Sequence, residues 1–162
     1  MRIECFRKSD GHIVDQVQDS GTISLDFEGR TRSRGKASAS DGNEIAWFLE
    51  QGEFLRGGDR LHSEQGDQYL VQAAPEAVSR VTARDQWLLM RVAYHLGNRH
   101  VPLCVNKDEL LFQPDYVLDD MVKGLGAQVA HCDLPFQPED GAYHSHGEHT
   151  HSEHAHSEHT HE

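Results

Sequence analysis

Histidine recurs in pairs over residues 144–162, where the chain reads HSHGEHTHSEHAHSEHTHE, an H-x-H unit repeating every five residues. Eight of the 13 histidines fall here: His144, His146, His149, His151, His154, His156, His159 and His161. Glu148, Glu153 and Glu158 punctuate the pairs, and no lysine or arginine interrupts them. Neutral imidazole is a good donor to nickel, copper, zinc and iron, and each ion needs several side chains. On a pliant chain an H-x-H pair can grip an ion from two sides, while the carboxylates offset its charge. The chemistry expected is divalent-metal capture, capacious and exchangeable but poorly selective. Protonation near pH ~6 should weaken it. A purification tag or a merely solubilising tail are the competing readings. Tags are usually contiguous histidine runs, whereas Ser, Thr, Ala and Glu alternate here.

The other histidines are single. His100 lies in Leu96-Gly97-Asn98-Arg99-His100-Val101-Pro102-Leu103, where a helix cap should turn into a strand. Its imidazole could project from a rigid edge, or it could be an ordinary surface or capping residue. One histidine makes no selective site, but a twofold axis beside it would present two. His12 and His62 flank turns and read as surface residues. His95 sits near a helix C-terminus, where the cationic form is mildly favoured. His131 and Cys132 are adjacent on an expected strand, so they should point to opposite faces rather than chelate together. Cys104, in an apolar strand, reads as core. Trp87, Phe112 and Tyr116 read as packing.

No catalytic set competes with this reading. The chain lacks G-x-S-x-G, a phosphate-binding glycine loop with lysine, H-E-x-x-H and C-x-x-C. Asp119 and Asp120 are adjacent, so they do not share a helix face and make a poor acid–base dyad. A carrier is expected, not an enzyme. A net charge of -12 disfavours nucleic acid as a partner. No apolar run approaches the roughly 18 residues of a membrane span, and Met1–Gly11 has no apolar signal region. Cys5, Cys104 and Cys132 are odd in number and scattered, which fits a reducing cytoplasm better than a disulfide framework.

These residues need elements to hold them. Residues 1–74 read as a small all-β domain, with strands at Ile3–Phe6, Thr22–Phe27, Glu44–Phe48, Phe54–Leu55 and Tyr69–Val71 between Gly- and Asp-rich turns. Arg30, Arg32, Arg34 and Lys36 alternate with small residues; on a strand all four would share one face, either solvated or facing an acidic partner. From Ala74 the period changes. A strand over Glu76–Thr82 and a helix over Ala83–Leu96, capped at Gly97-Asn98, precede strands at Val101–Val105 and Leu110–Phe112. A helix over Tyr116–Leu125 and a strand at Gln128–Cys132 follow. The order βαββαβ is ferredoxin-like, so the fold class expected is α+β. Pro135 and Pro138 then carry the chain out in extended form. The chain divides into residues 1–74, 75–141 and 142–162. The last can bury too little to repay its ordering entropy and should be disordered without metal.

The block Tyr94-His95-Leu96-Gly97-Asn98-Arg99-His100-Val101-Pro102-Leu103 resembles the UreE family of urease accessory proteins, which are nickel metallochaperones. Pro114–Asp119, Gly124-Leu125-Gly126 and Leu134–Tyr143 extend the likeness; Arg32–Gly35, Asp41-Gly42, Gly57-Gly58-Asp59 and Val71–Ala74 support it more weakly. The resemblance implies a partner-binding β domain, a ferredoxin-like metal domain, and a homodimer in which His100 from each subunit binds one Ni(II). It implies that the tail adds ligands and storage, with Zn(II) or Cu(II) also accepted. Nickel would pass through the urease accessory GTPase to the urease apoprotein. Gln113-Pro114-Asp115-Tyr116 lacks the histidine that some members carry there, so an auxiliary site is absent or altered, with Tyr116 as a weak substitute. The alternative is a general divalent metal buffer without a dedicated client.

Overall fold

The computed structural model describes residues 1–10 and 18–140. The expectations for His12 and for the eight histidines of the terminal tract lie outside the described residues.

The first sheet has six strands: β1 (Arg2–Ser9), β2 (Gly21–Leu25), β3 (Arg34–Ser38), β4 (Glu44–Phe48), β5 (Arg60–Ser63) and β6 (Gln68–Ala73), in the order β2-β6-β5-β1-β4-β3. Ser40 N–H donates to the Thr22 carbonyl at 2.9 Å, so the chain beyond β3 returns to β2 and the sheet curls toward a barrel. Alternation does the rest. Ile3, Cys5, Ile23, Ile45, Trp47, Leu61 and Val71 all point inward and are buried. Gly35 is required by this core, because a Cβ there would lie 2.3 Å from Trp47 Cζ2.

Three expectations fail here. Phe54–Leu55 is not a strand, and β5 was masked in the sequence by its mixed composition. Phe27 leaves the strand to begin a one-turn helix, α1 (Phe27–Arg30), because the Asp26 side chain caps Gly29 N–H. The helix also removes Arg30 from the expected basic strand, and Arg32 precedes β3, so only Arg34 and Lys36 lie on it. Arg32, Arg34 and Lys36 are exposed, whereas Arg30 is 1% exposed.

The second sheet is β7 (Pro75–Thr82), β8 (Cys104–Val105), β9 (Leu110–Phe112) and β10 (Gln128–Pro135), in the antiparallel order β10-β7-β9-β8. Helices α2 (Gln86–Gly97) and α3 (Tyr116–Gly124) complete the βαββαβ ferredoxin-like arrangement. Asp85 and Asp115 start them by accepting backbone N–H groups of their first turns. Leu88, Leu89, Val92 and Leu96 of α2 and Val122 of α3 bury one face of the sheet with Val81, Leu110 and Phe112. β10 runs past the expected Cys132 to Pro135, which its edge position permits.

Of the aromatic set expected to pack, only Phe112 does so. Trp87 is 67% and Tyr116 82% exposed. Trp87, Met90 and Tyr94 lie at i, i+3 and i+7, on the side of α2 opposite its buried leucines.

Candidate metal centre

His100 is placed by the way α2 ends. Asn98 caps the helix in right-handed conformation, and the next amides fold back tightly: Arg99 N–H donates to Leu96 O at 3.0 Å and His100 N–H to Gly97 O at 2.9 Å. The chain must then enter Val101-Pro102 in extended form, since proline disfavours a helical residue before it. The reversal falls on His100, whose φ is 56°, making it the one non-glycine residue in the left-handed region among the described residues. A non-glycine side chain there costs about 1–2 kcal/mol, and such strain often accompanies function. The imidazole is exposed.

It borders a cleft of about 630 Å3 between the two sheets' territories, walled by Phe27, Phe54 and Leu55 on one side and by Val101, Pro102 and Pro138 on the other. Among the described residues no group of three or more His, Cys, Asp or Glu side chains converges at a distance suited to an ion. His100 alone therefore offers one donor, and a full shell needs donors from elsewhere.

The cleft is held in shape by a residue that sequence reasoning placed wrongly. The Arg30 guanidinium donates to Leu25 O at 3.2 Å, to Gln137 Oε1 at 2.5 Å and to the Phe136 carbonyl. Burial pulls its pKa below the usual arginine value, against the opposing charges of Glu76 and Asp26. Phe27 packs edge-on against Phe136, ring centroids 5.3 Å apart, and its N–H donates to Glu76 Oε1 at 2.7 Å. One turn of helix thus ties the first sheet to the strand and exit segment of the second. Nothing in the R-T-R-S-R-G-K pattern distinguishes Arg30 from its neighbours; only the preceding Asp26, a helix cap, could have signalled the break.

The remaining candidates are placed as follows. Cys104 is buried, accepts Gln137 N–H at 3.1 Å, and has its pKa raised chiefly by desolvation. A thiol so held is a poor metal ligand, since the thiolate is the binding form. His131 and Cys132 take opposite faces. Cys132 packs with Val78 and Phe136, while His131 Nε2 meets Asp119 Oδ2 at 2.6 Å. Asp119 is buried and also accepts the Ser79 hydroxyl at 2.7 Å, a polar knot that the sequence did not reveal. Asp120 is exposed, so the adjacent acids are divided between core and solvent. His62 pairs with Ser9 Oγ at 2.7 Å. No helix among the described residues is long and apolar enough to cross a membrane.

A βαββαβ domain that holds an exposed histidine on a left-handed turn, preceded by a curled six-stranded sheet, defines a two-part α+β protein. The comparisons with known proteins give the family. Residues 8–74 match the model of the UreE urease accessory protein N-terminal domain, and residues 76–162 match that of its C-terminal domain. The chain is similar to the urease accessory protein UreE of Pseudomonas putida, 52% identical over 127 residues, covering 78% of this chain and 76% of that protein. It is 47% identical over 142 residues to that of Saccharophagus degradans, covering 88% and 84%. For Teredinibacter turnerae the identity is 45% over 145 residues, covering 90% and 93%. The chain belongs to the UreE family of urease accessory proteins.

Proposed function

We infer that this chain is a nickel metallochaperone that carries Ni(II) for assembly of the urease metallocentre. The observation that carries the reading is His100, held outward by a strained turn with too few neighbouring donors among the described residues to close a shell. Such a ligand is useful where a second copy or a mobile donor completes the site. Family membership supplies the client: a urease accessory protein serves urease rather than a general pool. Delivery runs through the urease accessory GTPase to the apoprotein, in the cytoplasm.

The chain acts as a homodimer. Trp87, Met90 and Tyr94 form an exposed apolar stripe on the helix that ends in the His100 turn. A contiguous exposed apolar patch usually marks an interface. A twofold axis beside α2 would bring both His100 side chains toward one ion. Residues 75–141 form the metal-binding and dimerisation domain, residues 1–74 the partner-binding domain, and residues 142–162 the collecting tract. His144 and His146 complete the shell around the shared nickel; His149, His151, His154, His156, His159 and His161 hold further ions weakly. Zn(II) and Cu(II) compete, as imidazole ligation alone discriminates poorly.

The test is nickel titration with native mass measurement on the full chain, a chain ending at residue 143, and His100→Asn. Asparagine tolerates the left-handed backbone, so the substitution removes the imidazole and spares the turn. The shortened chain should keep one nickel per two chains, more weakly held, and lose the numerous loose sites. His100→Asn should lose the tight site. A pure metal buffer would keep all of its binding in His100→Asn, and that result would refute the assignment.

A further inference from the structure

The cleft beside His100 is mostly apolar in surface, with Arg30, Glu53, Glu139 and Asp140 also lining it. It is open and unfilled by the described residues, and the chain leaves the described structure from its wall. Residues 136–140 are pinned there. Glu139 N–H donates to Leu103 O at 2.8 Å, and Gln137 Oε1 accepts from Gly57 N–H at 3.1 Å and from Arg30. Asp140 pairs with Arg56, whose guanidinium carbon lies 5.1 Å from the centroid of the Phe54 ring that walls the cleft. The exit point is thus fixed at the mouth of the same cleft that His100 borders.

We propose that the Tyr143 side chain seats in this cleft and anchors the root of the histidine tract beside His100. Three residues of chain from Asp140 reach about 10 Å, enough to turn back into the cleft and too few to leave its neighbourhood. Tyr143 is the single aromatic or large aliphatic residue between Asp140 and the C-terminus, so the segment offers no other apolar anchor. A cleft of about 630 Å3 accommodates one phenol ring with space for water. Phe27, Phe54, Leu55, Pro102 and Pro138 cover the ring faces while the mouth leaves the hydroxyl access to solvent. Tyrosine suits such a half-wet site because it couples a large apolar body to a polar tip. Seating Tyr143 places His144 one residue from the cleft. The closure of a shell between the tract and His100 then begins from a short tether rather than from a free chain, which raises the effective concentration of the first histidine pair.

This positioning role rests on His100 and the first tail pair sharing an ion, and the experiment separates the two ideas. Hydrogen exchange on the metal-free full chain reads the anchor without nickel. The amides of Ala142, Tyr143 and His144 should exchange more slowly than those of a free peptide; Tyr143→Ser and Phe54→Ser should each abolish the protection, and Tyr143→Phe should keep it. Nickel titration of the same variants reads the consequence. Tyr143→Ser should weaken the tight site about ten-fold and leave the loose sites alone, with Tyr143→Phe restoring it. Free-peptide exchange in the unmodified chain, or equal tight binding by Tyr143→Ser where His100→Asn has lost it, overturns the anchor and leaves His100 standing. Retained tight binding in His100→Asn refutes the shared ion instead. In that case protection lost in both Tyr143→Ser and Phe54→Ser still supports the seat, and protection lost in neither overturns it.

Discussion

At the level of single residues, the conformation of His100 separates the needs of the fold from those of metal binding. A left-handed backbone is unfavourable for any side chain with a Cβ and worst for a β-branched one. A substitution series at residue 100 should therefore rank stability by backbone tolerance and nickel affinity by imidazole. In urea titrations His100→Gly should match or exceed the unmodified chain, since relief of about 1–2 kcal/mol of strain outweighs the roughly 0.5–1 kcal/mol entropic cost of glycine. His100→Asn should lie close to histidine, and His100→Val should fall below it by about 1–2 kcal/mol. None of these should hold the tight nickel. A stability order that follows side-chain size instead would mean that the turn carries no strain. The same distinction governs Cys104, whose buried, proton-retaining thiol serves packing and leaves the ligand role to imidazole.

At the level of elements, periodicity made the second half of the chain legible. The α2 and α3 patterns and the order βαββαβ follow from spacing, and Phe112 is buried as expected. Trp87 reads as packing by its type, but its angular position relative to Leu88 and Val92 puts it in solvent beside Met90 and Tyr94. In the first half the strands are short, and the one-turn helix α1 interrupts a basic run that alternates as a strand would. The inward position of Arg30 depends on acceptors 106 and 107 residues away, at Phe136 and Gln137, and no local pattern encodes a contact so distant. Its role is testable. Arg30→Met approximately keeps the volume and removes five donors, leaving the Phe136 carbonyl without its partner. The Leu25 carbonyl keeps Ala74 N–H, and Gln137 Oε1 keeps Gly57 N–H. An unsatisfied buried carbonyl costs about 1–3 kcal/mol, so a loss of about 1–3 kcal/mol in urea unfolding is expected. The junction between α1 and the exit segment should loosen first, with faster amide exchange at Gln137 and Glu139. A loss confined to the first sheet, with the exit segment unchanged, would show that Arg30 serves its own domain alone.

For the whole molecule, the decisive question is whether the apolar face of α2 and the His100 site belong to one interface. The chain carries a net charge of -12, so two copies repel at long range, and association needs apolar contact to overcome it. Trp87 and Tyr94 are large enough to supply that contact, each burying on the order of 150–250 Å2 when covered. Trp87→Glu combined with Tyr94→Lys places opposite charges on the stripe while leaving the buried face of α2 untouched, so the monomer should keep its fold and its melting transition. In equilibrium sedimentation the doubly substituted chain should be monomeric at concentrations where the unmodified chain is dimeric. Its tight nickel should vanish even though His100 and all eight tail histidines remain, because each chain then supplies one rigid imidazole in place of two. The loose sites should persist in number per chain. If the monomer retained tight nickel at one ion per chain, His100 and the tail of a single subunit would suffice. The twofold axis would then be an accident of packing rather than part of the metal centre. If the double substitution left the dimer intact, the interface would lie elsewhere on the ferredoxin-like domain, and the exposed stripe would be free for the urease assembly partners.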